Sequence, residues 1–300
     1  MGRTSVATLC AFALVLVALV GPAAAAPTVP GAVGKATGQI PAQVLAYWTP
    51  ARKAAAKPRA LAKSGGGGST TSAYTITQVG NTERLGFPGR TNGKVYMTFG
   101  KSNYVCSGTA VASVNGSTVL TAGHCVWDAA SGYATNFVFV PAKSGSSEPY
   151  GAWAATAVYT TQAWHDSEDF SFDNGAAKVA TNGGTTLTGT LGGGRAITFS
   201  GARDQAYTLY GYPASGKYSG QYLYKCATRY AGDDPSISSD PKPIGVRCKW
   251  PGGSSGGAWI GVDGNVASVT SFGYASLSDW VFGPYLGAVA QAFYTDVQDN

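Results

Sequence analysis

From Tyr74 onward the apolar positions fall in short β-rich runs broken by glycine: Val95 to Phe99, Thr118 to Ala122, Phe137 to Val140, Ala196 to Phe199, Tyr207 to Tyr212, Tyr222 to Tyr224 and Val266 to Phe272. Runs of this length, rich in β-branched and aromatic residues and bounded by turn formers, predict an all-β architecture. A stretch of roughly 230 residues can bury a large core, either as one compact unit or as two small barrels. The C-terminal pattern differs. After Pro284, apolar side chains at Tyr285, Leu286, Val289, Ala290, Phe293, Tyr294 and Val297 follow a helical period, with the proline suited to a first turn, and predict a C-terminal helix packed on the β domain.

The first residues carry a different signal. Arg3, an apolar run from Leu9 to Val20, then Gly21-Pro22 and an alanine cluster have the layout of a secretory signal peptide, with the cut placed after Ala25. Its apolar run is too short for a membrane span, and Cys10 leaves with it. Cys106, Cys125, Cys226 and Cys248 remain, an even set in an exported chain, and two disulfides are expected. Residues 26–70 are rich in Ala, Pro, Gly and Lys, lack apolar periodicity apart from Ile40 to Trp48, and end in a glycine run. They predict a basic pro-region and flexible linker, or else a disordered tail. The third segment, 71–300, is the folded domain.

Charge sharpens this division. The formal charge of +6 is carried by Lys35, Arg52, Lys53, Lys57, Arg59 and Lys63, in a stretch with no acid at all. Arg3 brings the basic residues before position 69 to seven of 21; the remaining 14 against all 15 acids give 14 − 15 = −1. A nucleic-acid partner is therefore not expected for the main domain, in spite of its host chain's basic balance. No phosphate-cradling motif, internal repeat or metal-spaced ligand cluster stands out, so no cofactor and no metal is expected, and the chain is expected to act as a monomer.

The chemistry sits in two strings: Thr121-Ala122-Gly123-His124-Cys125, and, starting 128 residues after His124, the run Gly252-Gly253-Ser254-Ser255-Gly256-Gly257. A serine hydroxyl is a poor nucleophile at neutral pH, so acyl transfer needs an imidazole to take its proton and a carboxylate to hold that imidazole in one tautomer. His124 and Ser255 suit the first two roles. Gly253 can turn its N–H toward the point addressed by the N–H of Ser255, and two such donors make an oxyanion hole.

Together with Asp173-Asn174-Gly175-Ala176 and Gly211-Tyr212-Pro213-Ala214, these strings resemble the chymotrypsin-fold, trypsin-like serine peptidases, most closely their bacterial branch that includes glutamyl endopeptidases. The resemblance spans roughly residues 90 to 295. It implies two six-stranded antiparallel β-barrels and a secreted endopeptidase that cuts proteins or peptides through an acyl-enzyme. Asp173 is the implied carboxylate, because a small apolar run follows it as in the family. Asp169 is the alternative among the crowded acids Asp166, Glu168, Asp169 and Asp173. His165 reads as an exposed loop histidine. The implied bridges are Cys106 with Cys125 and Cys226 with Cys248.

By the same resemblance Ser271, Phe272 and Gly273 form the wall of the specificity pocket and the edge on which substrate pairs. Lys249 lies near the pocket floor, where a cation would favour acidic residues at the cleavage site; otherwise it faces solvent. The wall Val269-Thr270-Ser271-Phe272 lacks the histidine that glutamyl endopeptidases place there. Ser254 stands where the animal enzymes carry the aspartate that binds a new N-terminus, so activation is expected to differ and to proceed by removal of the basic segment. A non-catalytic secreted binding module and an esterase on the same triad are the rival readings.

Overall fold

The computed structural model describes residues 1–2, 31–63 and 73–300. The apolar run Leu9 to Val20, expected to be a signal peptide, and the glycine run 65–68, expected to be a linker, lie outside the described residues. Before the linker the chain forms β1 (Val33–Ala36), two short helices (Pro41–Tyr47 and Pro50–Ala55), β2 (Lys57–Pro58) and β3 (Leu61–Lys63); β4 (Thr75–Gln78) follows the linker.

The first barrel contains β5 (Asn92–Phe99), β6 (Ser102–Ala110) and β7 (Thr118–Thr121), and, after a hairpin of β8 (Trp127–Asp128) and β9 (Gly132–Tyr133), β10 (Thr135–Pro141), β11 (Trp153–Thr160) and β12 (Gly175–Val179). Its antiparallel order is β10-β5-β6-β7-β12-β11, and pairing of β11 with β10 closes the ring. The second barrel contains β13 (Ala206–Gly211), β14 (Tyr224–Asp233), β15 (Ile244–Arg247), β16 (Ala258–Ile260), β17 (Val266–Val269), β18 (Phe272–Tyr274) and β19 (Leu277–Gly283). β17 pairs with β16, and the chain then runs on as β18 to pair with β19, so one stretch joins both ends of the path. Two six-stranded barrels are thus present, with β17 and β18 sharing one place.

Side-chain alternation explains the layering. Along β5, Val95, Met97 and Phe99 point into the first barrel, while Tyr96 faces outward yet is fully buried. Its cover is the segment before the linker: Val44 and Trp48 pack with Tyr96, Val105, Val138, Val140 and Ala154. The Trp48 indole N–H also donates to Asn136 O at 2.6 Å, and β1 extends the sheet along β11 with Val33 opposite Thr160. Residues 31–63 are therefore not a disordered tail; their few apolar side chains are spaced for this one face. The basic residues are used as well, Lys53 pairing with Glu148 at 2.5 Å.

Two element expectations change. Ala196 to Phe199 makes only single bridges at Arg195 and Ile197, because glycines before it and a turn after it leave no length for pairing. The C-terminal helix runs Ala288–Asp299 with Gly287 as its N-cap, so Pro284 lies before its first turn. Leu286, Ala290, Phe293 and Val297 nevertheless bury the predicted stripe, against the first barrel.

Candidate active site

His124 sits where β7 leaves the barrel and tightens into a single 3₁₀ turn, Gly123–Cys125. Cys125 is bonded to Cys106 on β6, which pins that turn to the neighbouring strand. Closing a loop of 19 residues contributes about 3 kcal/mol in the chain-entropy account. Gly123 is required by space: a Cβ there would lie 2.7 Å from the Trp164 ring and 2.9 Å from Asp173 Oδ1.

Asp173 follows the 3₁₀ turn Phe170–Phe172 and precedes β12, which carries it into the barrel mouth, fully buried. Its Oδ1 accepts the backbone N–H of His124 at 2.8 Å, and its Oδ2 is 2.8 Å from His124 Nδ1. Ser271 Oγ donates to the same Oδ2. The other acids of this segment are engaged elsewhere. Asp169 caps its own turn through Ser171 N at 2.9 Å, Glu168 accepts from Ala129 N, and Asp166 binds the His165 ring and Gln162. His165 is partly exposed and stacks on Trp127 with ring centroids 4.2 Å apart.

His124 Nε2 is buried and makes no hydrogen bond. Ser255 Oγ instead donates to the backbone carbonyl of Arg59 at 3.0 Å, and the N–H of Gly253 reaches the same oxygen at 3.4 Å. Gly253 holds φ +94°, where an added Cβ would lie 2.8 Å from both Ala214 Cβ and Tyr212 O; only glycine accepts this combination without strain. Ser107, one residue beyond Cys106, ties the two barrels together here. Its N–H donates to Ser255 O at 2.7 Å, its Oγ donates to Gly253 O at 2.9 Å, and that Oγ accepts from Tyr212 N. The sequence held one clue to it, its place directly after a bridged cysteine.

Beside Ser255 lies a pocket walled by Trp250, Thr270, Phe272, Gly273, Trp280 and Val281, with Ala60 and Leu61 occupying it so closely that about 40 Å³ remains. Ser271 and Phe272 line this cavity, with the Ser271 hydroxyl turned to Asp173. Lys249 is not on the floor. It is exposed and borders an adjoining cleft of about 710 Å³ with Tyr74, Lys217 and Tyr218, which shares Trp250, Pro251 and Trp280 with the pocket. The bond between Cys226 and Cys248 fixes the preceding residue inside the second core, so the lysine side chain turns outward to water.

No protein-family model matches the chain. Among solved structures, AL20, a thermostable serine protease from an extremophilic microorganism, superposes with a TM-score of 0.66 at 39% identity, over 70% of this chain and 98% of that one. Among curated proteins, the extracellular metalloprotease of Bacillus subtilis is 40% identical over 86 residues and the glutamyl endopeptidase of Bacillus licheniformis 34% identical over 97 residues. These two matches span only 26% and 29% of those proteins' lengths. The first name raises the question of a metal. Among the described residues one cluster of possible ligands exists, Cys106, His124 and Cys125. Its sulfurs are joined to each other and the imidazole Nδ1 is taken by Asp173, so these donors do not fit an ion. With near-complete coverage of a solved serine protease at 39% identity and the same two-barrel frame, this chain belongs to the serine proteases of the chymotrypsin-like fold.

Proposed function

We propose that the chain is the precursor of a secreted serine endopeptidase. The observation that carries the reading is a backbone carbonyl, that of Arg59, already seated between Ser255 Oγ and Gly253 N–H, beside a buried His124–Asp173 pair whose Nε2 is free. In turnover a substrate carbonyl takes that seat. Ser255 Oγ bonds to the carbonyl carbon as its proton passes to His124 Nε2, and Asp173 holds the ring so that Nδ1 keeps its proton. The N–H groups of Gly253 and Ser255 receive the oxyanion, a contribution of about 10²–10³ in rate per donor. His124 then gives the proton to the departing amine, and water hydrolyses the acyl-enzyme through the reverse steps.

The pocket carries no charged side chain, and its walls are the indoles of Trp250 and Trp280 with Phe272 and Val281. Uncharged, largely apolar residues are the expected preference at the cleavage site, in place of the acidic preference that a floor lysine would have produced. The leader and the two disulfides support export, and activity requires the basic segment ahead of the glycine run to leave the cleft. The test is fluorophosphonate labelling of the processed protein with Ser255→Ala as control, followed by mass spectrometry of a digested peptide library. Labelling lost in the variant, with peptides cut after apolar residues, supports the reading. Ester turnover without peptide cleavage points to an esterase, and no labelling of a form from which residues 26–63 have been removed points to a binding module.

A further inference from the structure

We propose that residues 57–63 lie in the substrate cleft in reversed chain polarity, anchored by Arg59, as a resident ligand that the enzyme does not cleave and that stays seated after the linker is cut. The proposal rests on the peptidase reading above. Proton balance fixes the productive direction. The amide nitrogen that follows the attacked carbonyl must leave as an amine with a proton from His124 Nε2, so the chain after the carbonyl exits on the His124 side, along the first barrel. The chain before it then lies along the pocket wall of the second.

Here the order is inverted. Lys57 and Pro58, before the seated carbonyl, pair with Tyr104 and Val105 of β6 in the first barrel, and Arg59 N donates to Val105 O at 2.9 Å. Leu61, Ala62 and Lys63, after it, pair with Phe272, Gly273 and Tyr274 of β18 in the second. Both pairings are parallel, and a chain of productive polarity would run antiparallel to both. The Arg59 carbonyl is thus presented to Ser255 while its C–N bond points toward the pocket, where Ala60 sits, away from the base. Attack there would give an adduct whose nitrogen cannot be protonated by His124, and it would revert.

Arg59 also holds the polarity. Its Nε donates to His124 O at 2.7 Å and its guanidinium pairs with Asp128 at 2.7 Å while lying 4.3 Å from the Phe99 ring centroid. Burial works against the charge on Asp128, yet hydrogen bonds from Arg59 and Ser131 outweigh it and keep the carboxyl below its ordinary range. The apolar seat of Val44 and Trp48 lies on the same side of the linker as Arg59, so cutting the linker leaves both attachments intact.

The test uses the full chain with a site-specific protease site placed in the glycine run 65–68. After the cut, the segment should co-elute with the domain on gel filtration, its Arg59–Ala60 bond should remain intact on prolonged incubation by mass spectrometry, and Ser255 should resist a fluorophosphonate. In Arg59→Ala, and in Asp128→Ala, which breaks the contact from the other side, the segment should be lost more readily and labelling should speed up on the order of tenfold to a hundredfold. Cleavage at Arg59–Ala60 at a substrate's rate would overturn the proposal, as would labelling of both variants no faster than the parent chain. If no form labels, even with the segment gone, the peptidase reading fails instead; co-elution with its loss in the two variants then still reports on the anchor.

Discussion

Replacing Asp173 by asparagine tests the arrangement at its least tolerant point. The carboxylate is fully buried and accepts three hydrogen bonds, from His124 N, from His124 Nδ1 and from Ser271 Oγ. The backbone N–H of His124 can only donate, so the asparagine oxygen must stay opposite it. The amide nitrogen is thereby forced opposite Nδ1 and Ser271. Ser271 can turn to accept, but Nδ1 can face an NH₂ group only by giving up its own proton, which moves that proton to Nε2. An Nε2 that already carries a proton cannot take one from Ser255. The expected loss is about 10³–10⁴ in kcat, or ~4–5 kcal/mol at 1.36 kcal/mol per decade, with little change in KM. The assay is steady-state hydrolysis of a peptide by the processed protein, with fluorophosphonate labelling as a second readout and the thermal transition as a check on folding. Asp169→Asn is the matched control. It removes a carboxylate four positions away whose hydrogen bond goes to Ser171 N, and it should leave kcat within twofold or so of the parent, as surface substitutions do. Retention of kcat within about tenfold in Asp173→Asn, or an equal loss in Asp169→Asn, would refute the tautomer argument.

Three further outcomes follow from the same geometry. Ser271→Ala removes one of the three donors to Asp173 while leaving the histidine contacts, and kcat should fall about tenfold with KM unchanged, a split that a pocket-wall role would reverse. Gly123→Ala drives a methyl into the Trp164 ring and toward Asp173 Oδ1, and should destabilise the fold by about 1–3 kcal/mol, measured by urea unfolding. Lys94 is buried with its ammonium 2.6 Å from Gly220 O, and burial first, then Lys143 and Lys53, depress its pKa from 10.5 to about 7. Between those values the unfolded chain holds more protons, so stability rises with pH through that window, and the full cost is felt below it. Lys94→Met removes the dependence: relative to the parent, its urea stability at pH 7 should exceed that at pH 9 by about 2 kcal/mol. Parallel midpoints across this range would sink the argument.

Much of the frame could be read from the chain because the information was local. A histidine and a cysteine share one tight turn, so a single string announces both the proposed base and the bond that pins it. The strands of the barrel interiors announce themselves through buried β-branched and aromatic runs such as Val95 to Phe99. Ala196 to Phe199 has the same composition and fails as a strand, because the glycines before it and the turn after it leave length for only single bridges. Ser107 and the turned hydroxyl of Ser271 were hidden for a different reason: their contacts, to Ser255 O and Asp173 Oδ2, cross from one barrel to the other. Lys249 takes the second of the two places its position allowed, facing water; one residue past a bridged cysteine, its neighbour Trp250 turns in and it turns out.

The segment before the linker marks where local information stops. Its composition, alanine, proline and lysine, resembles that of an unfolded tail, and its folding depends on surfaces supplied from elsewhere: an outward face of β5 and β10 that is apolar at Tyr96, Val138 and Val140, and a domain left at −1 once +6 is set apart. Those features of the barrel have no purpose for the triad itself; an outer face of a solvated barrel would ordinarily be polar. They become intelligible if the barrel's sequence was shaped to receive the segment. Polarity is the last thing to be decided, since parallel and antiparallel pairing use the same edge groups and differ in energy only slightly. What decides it is arrival: a chain laid over the first barrel by Val44 and Trp48 reaches the cleft from the His124 side, and crosses to the pocket in the one direction from which its carbonyl can be bound without being cut.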